Sequence, residues 1–234
     1  GFIDVGAFRG ADSNTIKSGQ SKLRYALAIE TAVGLVAGIV YYMFLSKSAD
    51  SAWVLNRRYL DWYLTTPLLL LSFALYCGAA VDDKITQPME LSTLLERDYV
   101  YAFVLTLAML ILGFLHEKTR NQARNLFLVL GFVAFAFVFW FMRKIKNRAK
   151  EEILNKGYYI GDTGARFLVL RDATYELDVL FWIFLGVWFL YGVVAAIPQK
   201  HPGVRHVSYN VLDGISKATF GVFLWWKTIS LKTP

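Results

Sequence analysis

The 234-residue sequence has a single cysteine, Cys77, which excludes an intrachain disulfide framework. It ends an apolar stretch and reads as a small buried residue. Charge is absent in long blocks. Residues 99–115, 126–142 and 179–197 contain no Asp, Glu, Lys or Arg, and each block is 17 to 19 residues long. A helix of that length crosses most of a hydrocarbon layer about 30 Å thick, so these blocks speak against a soluble helical bundle. There is no signal-peptide pattern at Gly1, no internal repeat and no low-complexity segment. Histidines number three, and those near the Pro-rich loop at 198–203 read as solvated rather than as metal ligands.

What is present points the same way. Hydrophobic residues make up 56% of the chain and aromatics 16%, against roughly 45–50% apolar in an average soluble protein. The net charge of +7 sits mostly in connections, which fits a membrane protein oriented by Lys and Arg rather than a nucleic-acid binder. Six spans are expected, at about 22–45, 52–75, 99–115, 126–142, 179–197 and 207–229. Bilayer spans are helices or closed barrels, and these runs are too long for barrel strands. The expected fold is all-α, a transmembrane helical bundle forming a single membrane domain over 1–234, with 1–19 as a non-spanning N-terminal segment. The stretch 143–178 is expected to be the longest connection, helical only near its end. It opens with Arg143, Lys144, Lys146, Arg148 and Lys150 and so reads as cytoplasmic; Lys22 and Arg24 then fall on the same side.

Ionisable residues inside spans are costly, roughly 2.5–3.5 kcal/mol each on insertion scales. The chain nevertheless keeps Glu30 in the first span, Arg58 and Asp61 in the second, and Asp213 and Lys217 in the last. Asp213 and Lys217 are four apart and share a helix face, which a plain buried ion pair would also explain. In the second span Asp61, Thr65 and Ser72 form one stripe about 16 Å long. Glu30 reads either as a helix-end residue reaching the interface or as part of a proton or ion path.

The run Arg58-Tyr59-Leu60-Asp61-Trp62-Tyr63-Leu64-Thr65-Thr66-Pro67-Leu68-Leu69 resembles the third helix of the microbial (type 1) rhodopsins, R-Y-x-D-W-x-x-T-T-P-L-L. Asp213 to Lys217 resembles the end of the family's seventh helix, D-x-x-x-K. Trp188 to Gly192 resembles W-x-x-Y-P of the sixth, with Gly in place of Pro. The six spans then match the family's second through seventh, and its first helix lies upstream of Gly1 or is missing.

The resemblance implies all-trans retinal held as a Schiff base on Lys217, with Asp61 and Asp213 as counter-ion carboxylates and Asp61 as proton acceptor. Arg58 would tune them, and Thr65 would bond Asp61. Trp62, Thr66, Leu69, Met109, Gly113, Trp188 and Tyr191 would line the chromophore, with a further wall near Gly131. Tyr42 is expected to approach the carboxylates. Leu69 implies green rather than blue absorption. A protonated Schiff base in an apolar interior requires a compensating carboxylate, which is why these residue types belong together.

Ser72 stands where many proton pumps of the family carry a carboxylate donor. The signature Asp61, Thr65, Ser72 resembles some viral and sensory-type rhodopsins. The function implied is a retinal-binding, light-driven ion transporter, most readily an outward proton carrier. A light-gated cation channel and a photosensory rhodopsin are the alternatives. None of these is an enzyme. The expected partners are the lipid bilayer and retinal, with no nucleic acid; homo-oligomers are common in the family and the sequence does not choose one.

Overall fold

The computed structural model describes residues 13–46, 51–82, 97–158, 164–198 and 200–230. They form six helices: α1 Ser13–Ser46, α2 Ser51–Asp82, α3 Arg97–Lys118, α4 Ala123–Tyr158, α5 Gly164–Ala196 and α6 Pro202–Ser230. Five contain a stretch long and apolar enough to cross a membrane: Gln20–Phe44, Trp53–Val81, Arg97–Lys118, Ala123–Asn155 and Asp172–Ala196. The sixth helix is long enough, about 43 Å at 1.5 Å per residue, but falls short of that apolarity. It carries Arg205, Asn210, Asp213, Ser216 and Lys217 among its apolar residues.

The helices pack in sequence as a ring, and α6 closes it against α1. Within the ring α2 lies innermost. The apolar window of α2 is 72% buried, against 17–28% in the other four spans. Lipid tails are as apolar as leucine, so outer helices gain little by hiding their apolar faces, and side chains such as Leu35, Val104, Phe137 and Trp182 stay exposed. Pro67 within α2 cannot donate a helical hydrogen bond; the Tyr99 hydroxyl of α3 donates to the Pro67 carbonyl at 3.2 Å. Two apolar clusters fill the interior. One gathers Leu69, Phe73, Phe139, Phe181, Trp188 and Phe220; the other gathers Tyr59, Trp62, Leu110, Val194, Tyr209 and Leu212.

The expected long connection at 143–178 is a correction. Residues 143–158 continue α4, and α5 already begins at Gly164. Lys, Arg and Glu are good helix formers, and the charges there find partners on other helices. Lys146 and Lys150 both reach Asp178. Arg148 bonds Asp98 at 2.7 Å, with Lys144 at 3.8 Å from the same carboxylate. Glu176 joins Tyr76 of α2 at 2.6 Å and Lys227 of α6 at 2.7 Å. At the N-terminus the helix begins at Ser13, inside the segment expected not to span; the apolar stretch 2–8 lies outside the described residues. At the other end of the bundle, buried His116 sets its ring nitrogens against the Arg124 carbonyl at 2.9 Å and the Ala195 carbonyl at 3.0 Å, tying α3 to α4 and α5.

Gly192 has a packing role. A Cβ built there would stand 2.5 Å from Cζ and 2.6 Å from Cε1 of Phe132 on α4. Gly192→Val should therefore lower stability by about 1–3 kcal/mol, the usual cost of overpacking. Thermal melting of the two proteins checks this; an unchanged or raised midpoint would mean that Phe132 does not fix the α4–α5 distance.

Candidate functional site

The polar residues of four helices meet between the two apolar clusters. Lys217 of α6 donates to Asp61 Oδ2 of α2 in an ion pair whose side chains are 7% and 1% exposed. Taking both ions out of water costs several kcal/mol per ion, so the pair exists only because each neutralises the other. Asp61 Oδ1 has no hydrogen-bond partner among the described residues.

Asp213 is held differently. Trp62 Nε1 donates to its Oδ1 at 2.9 Å and the Tyr191 hydroxyl to the same oxygen at 2.7 Å. The Tyr41 hydroxyl of α1 donates to Oδ2. Three neutral donors from three helices thus fix this carboxylate, and hydrogen bonds to a charged acceptor are the stronger kind. Tyr191 also meets Ser216 Oγ at 2.9 Å.

Arg58 is 2% exposed. It bonds His206 Nδ1 at 3.1 Å and Asn210 Oδ1 at 2.7 Å, and its guanidinium lies 5.1 Å from the Tyr209 ring centroid. A guanidinium can only donate, so His206 accepts through Nδ1 and carries its proton on Nε2. Further toward the same end, Arg205 pairs with Glu117, and Tyr209 donates to Glu117 at 3.2 Å. His201 is exposed, whereas His206, expected in solvent, belongs to the start of α6 and meets Arg58.

Beside the ion pair runs a cavity. It is walled by Tyr59, Trp62, Thr66 and Leu69 of α2, Met109 and Gly113 of α3, Gly131 of α4, Trp188 and Tyr191 of α5, and Asp213 and Lys217 of α6. Gly113 must be small: a Cβ there would approach the Tyr59 hydroxyl to 2.9 Å. The walls are overwhelmingly apolar and aromatic, with Lys217 and Asp213 as the charged groups. This is the form of a site for an apolar molecule with one reactive group.

The structure brings together Lys217, Asp61, Asp213, Arg58, Trp62, Thr66, Leu69, Met109, Gly113, Trp188 and Tyr191. Thr65 bonds the backbone carbonyl of Asp61 at 2.8 Å, not its carboxylate. Tyr42 is a correction: it is 72% exposed, and the neighbouring Tyr41 meets Asp213 instead. One residue along a helix is a 100° step, so the two tyrosines face different sides of α1. Ser72 and Glu30 are not in the cavity wall. Glu30 lies in the middle of α1 and is 3% exposed, which removes its reading as a helix-end residue. Its carboxyl lies beside Ser72 of α2, and its Cβ packs at Gly221 of α6.

Sequence reasoning missed Tyr59, Tyr209, Ser216 and the α4 wall of Phe127, Phe132 and Phe135. Phe127, Gly131 and Phe135 recur every four residues, a signal for one face; in a helix apolar all round, it does not say which face is inward.

The comparisons with known proteins agree with this geometry. The sequence model of the family described as Bacteriorhodopsin-like protein matches residues 12–231. The chain belongs to that family, the microbial rhodopsins, and is an integral membrane protein. An opsin-like protein, carO, of Fusarium fujikuroi is 26% identical over 74% of this chain, which spans 48% of that relative's length. A bacteriorhodopsin-II-like protein of Haloquadratum walsbyi is 26% identical over 85% of this chain and 69% of its own. The fold matches the crystal structure of Exiguobacterium sibiricum rhodopsin with a TM-score of 0.62 at 22% identity, over 91% of this chain and 86% of that one. It also matches the rhodopsin of Coccomyxa subellipsoidea, described as a light-driven proton pump, with a TM-score of 0.59 at 17% identity over 96% and 99%.

Tyr41→Phe should cost about 1–3 kcal/mol by removing a donor from the buried Asp213 carboxylate, while Tyr42→Phe should stay within about 0.5 kcal/mol of the parent. Melting both variants in one detergent tests the assignment; equal effects would refute it.

Proposed function

We propose that the chain holds all-trans retinal on Lys217 and transfers protons outward when illuminated, with Asp61 as the acceptor. The observation that carries this reading is the buried Lys217–Asp61 pair whose lysine lines an apolar, aromatic cavity. The cavity fits the group: apolar walls from five helices and a single lysine among them. The likeness to a rhodopsin described as a light-driven proton pump and to a green-light absorbing proteorhodopsin of a gamma-proteobacterium supports the same reading. Retinal joined to Lys217 supplies visible absorption and a light-driven change of shape that shifts the proton affinity of the lysine nitrogen.

The chain's own residues define the rest. Asp61 Oδ2 already touches the Lys217 nitrogen, and Oδ1 is uncommitted among the described residues, so Asp61 takes the proton. Asp213, satisfied by Tyr41, Trp62 and Tyr191, stays the fixed anion. With Arg58 the set contains two carboxylates and two cations and titrates as one system. Once Asp61 is neutral, Arg58 feels less attraction toward it and more toward the end that holds His206 and Glu117. That bias directs release away from the basic end of the bundle, hence outward.

Recovery needs a second proton from the basic side. Ser72 has no transferable proton near neutral pH. Glu30 faces Ser72 and packs at Gly221, one turn beyond Lys217. A buried carboxyl with no ion-pair partner among the described residues is placed to store the proton that Ser72 lacks.

Lys217→Ala should show no stable visible band with all-trans retinal. Asp61→Asn should shift absorption to the red and abolish light-driven acidification outside proteoliposomes of known orientation. Photocurrent against voltage settles the class of transport: current at zero voltage in one direction is expected, a current that reverses with the ion gradient would make the chain a channel, and none would make it a sensor.

Glu30→Gln should slow recovery in flash photolysis by tenfold or more and make it slower still as pH rises, because bulk water then supplies the proton. Ser72→Asp should change it little. Fast, pH-independent recovery in Glu30→Gln would remove Glu30 from the path.

A further inference from the structure

At the basic end, α4 and α5 enclose a groove away from the cavity. Arg143, Lys146, Asn147 and Lys150 line it from α4; Tyr175, Asp178, Val179, Trp182 and Ile183 line it from α5. Both sets follow helical spacing, so two facing stripes form the groove. We propose that it binds an anionic lipid of the adjacent leaflet: the phosphate among Arg143, Asn147 and Lys150, an acyl chain along Val179, Trp182 and Ile183.

Charge supports this occupant. The groove holds three cations and one carboxylate, which leaves two positive charges in excess. Lys146 is almost buried, its side chain 7% exposed, and its ammonium lies 5.0 Å from the Phe181 ring centroid. One oxygen of Asp178 is committed to it, because a buried cation needs an anion. Lys150 takes the other oxygen, with its side chain 25% exposed. Of the neighbouring carboxylates, Asp98 is engaged by Arg148 and Glu176 by Lys227.

Position supports a lipid over a soluble phosphate. Met142 ends the charge-free run of α4 and Val179 begins that of α5, so Arg143 and Asp178 mark the level where hydrocarbon gives way to headgroups. Tyr175 and Trp182 are 69% and 59% exposed there, as aromatic side chains at a membrane interface are. Val179 and Ile183 extend the groove inward as exposed apolar surface. A free phosphate has no use for that half. Basic pockets between helices at this side of a membrane are suited to phosphate headgroups.

The test uses the full-length protein with retinal, stripped of lipid in detergent and measured by native mass spectrometry. Dioleoyl phosphatidylglycerol should bind and dioleoyl phosphatidylcholine should not, and added salt should weaken the binding. Arg143→Gln and Lys150→Gln should each weaken it roughly fivefold, the effect of one cation near an anionic headgroup. Asn147→Lys should tighten it by a similar factor, which no folding defect imitates. Lys200→Gln, at the opposite end, should leave it unchanged. Equal binding of the two lipids, no response to these groove variants, or full competition by soluble glycerol phosphate would overturn the proposal.

Discussion

The bond between Lys217 and Asp61 is the constraint that orders this molecule. An ammonium inside a bilayer is tolerable only against an anion, and an anion only against a cation. The pair lies between α6 and α2, so those helices must hold their registers for either charge to survive. Asp213, one turn before Lys217, then has to be satisfied without that lysine. Trp62, Tyr191 and Tyr41 answer the need from α2, α5 and α1. Four helices are thereby tied to one point by polar contacts, in a solvent where apolar packing alone does little to set helix order.

The two carboxylates differ in their partners. Asp213 meets neutral donors, which keep it in place and ask nothing of it. Asp61 meets a cation, Lys217. Arg58 adds a third kind of partner: it bonds His206 and Asn210 rather than either carboxylate, so it links the pair to one end of the bundle by charge alone. Polarity is graded along the bundle, from apolar packing near Phe73 and Phe220, through the ion pair, to the Glu117–Arg205 contact.

Much of this was legible in the sequence because cost is legible. A charge in an apolar run needs a reason, and Arg58, Asp61, Asp213 and Lys217 all turn out to face one another's neighbourhood. The motif in α2 and the four-residue spacing in α6 were enough to identify the cavity's charged end. Other features depend on partners distant in sequence. The basic stretch from Arg143 reads as a connection until Asp98 and Asp178 are seen beside it. Tyr41 and Tyr42 are chemically identical, and only the rotation of α1 separates them. Phe127, Phe132 and Phe135 look like any lipid-facing phenylalanine, because an outer helix is apolar on every side.

The burial of α2 has a mechanical consequence. It touches every other helix: α1 through Ser72 and the Ala26 carbonyl, α3 through Pro67 and Tyr99, α4 along their shared packing, α5 through Tyr76 and Glu176, α6 through Trp62 and Asp213. A rod clasped on all sides cannot turn or slide without displacing five neighbours at once, whereas an outer helix that moves displaces mainly lipid. The inner helix is therefore the stator of this bundle. Asp61 and Arg58 ride on the helix whose displacement would disturb the most neighbours.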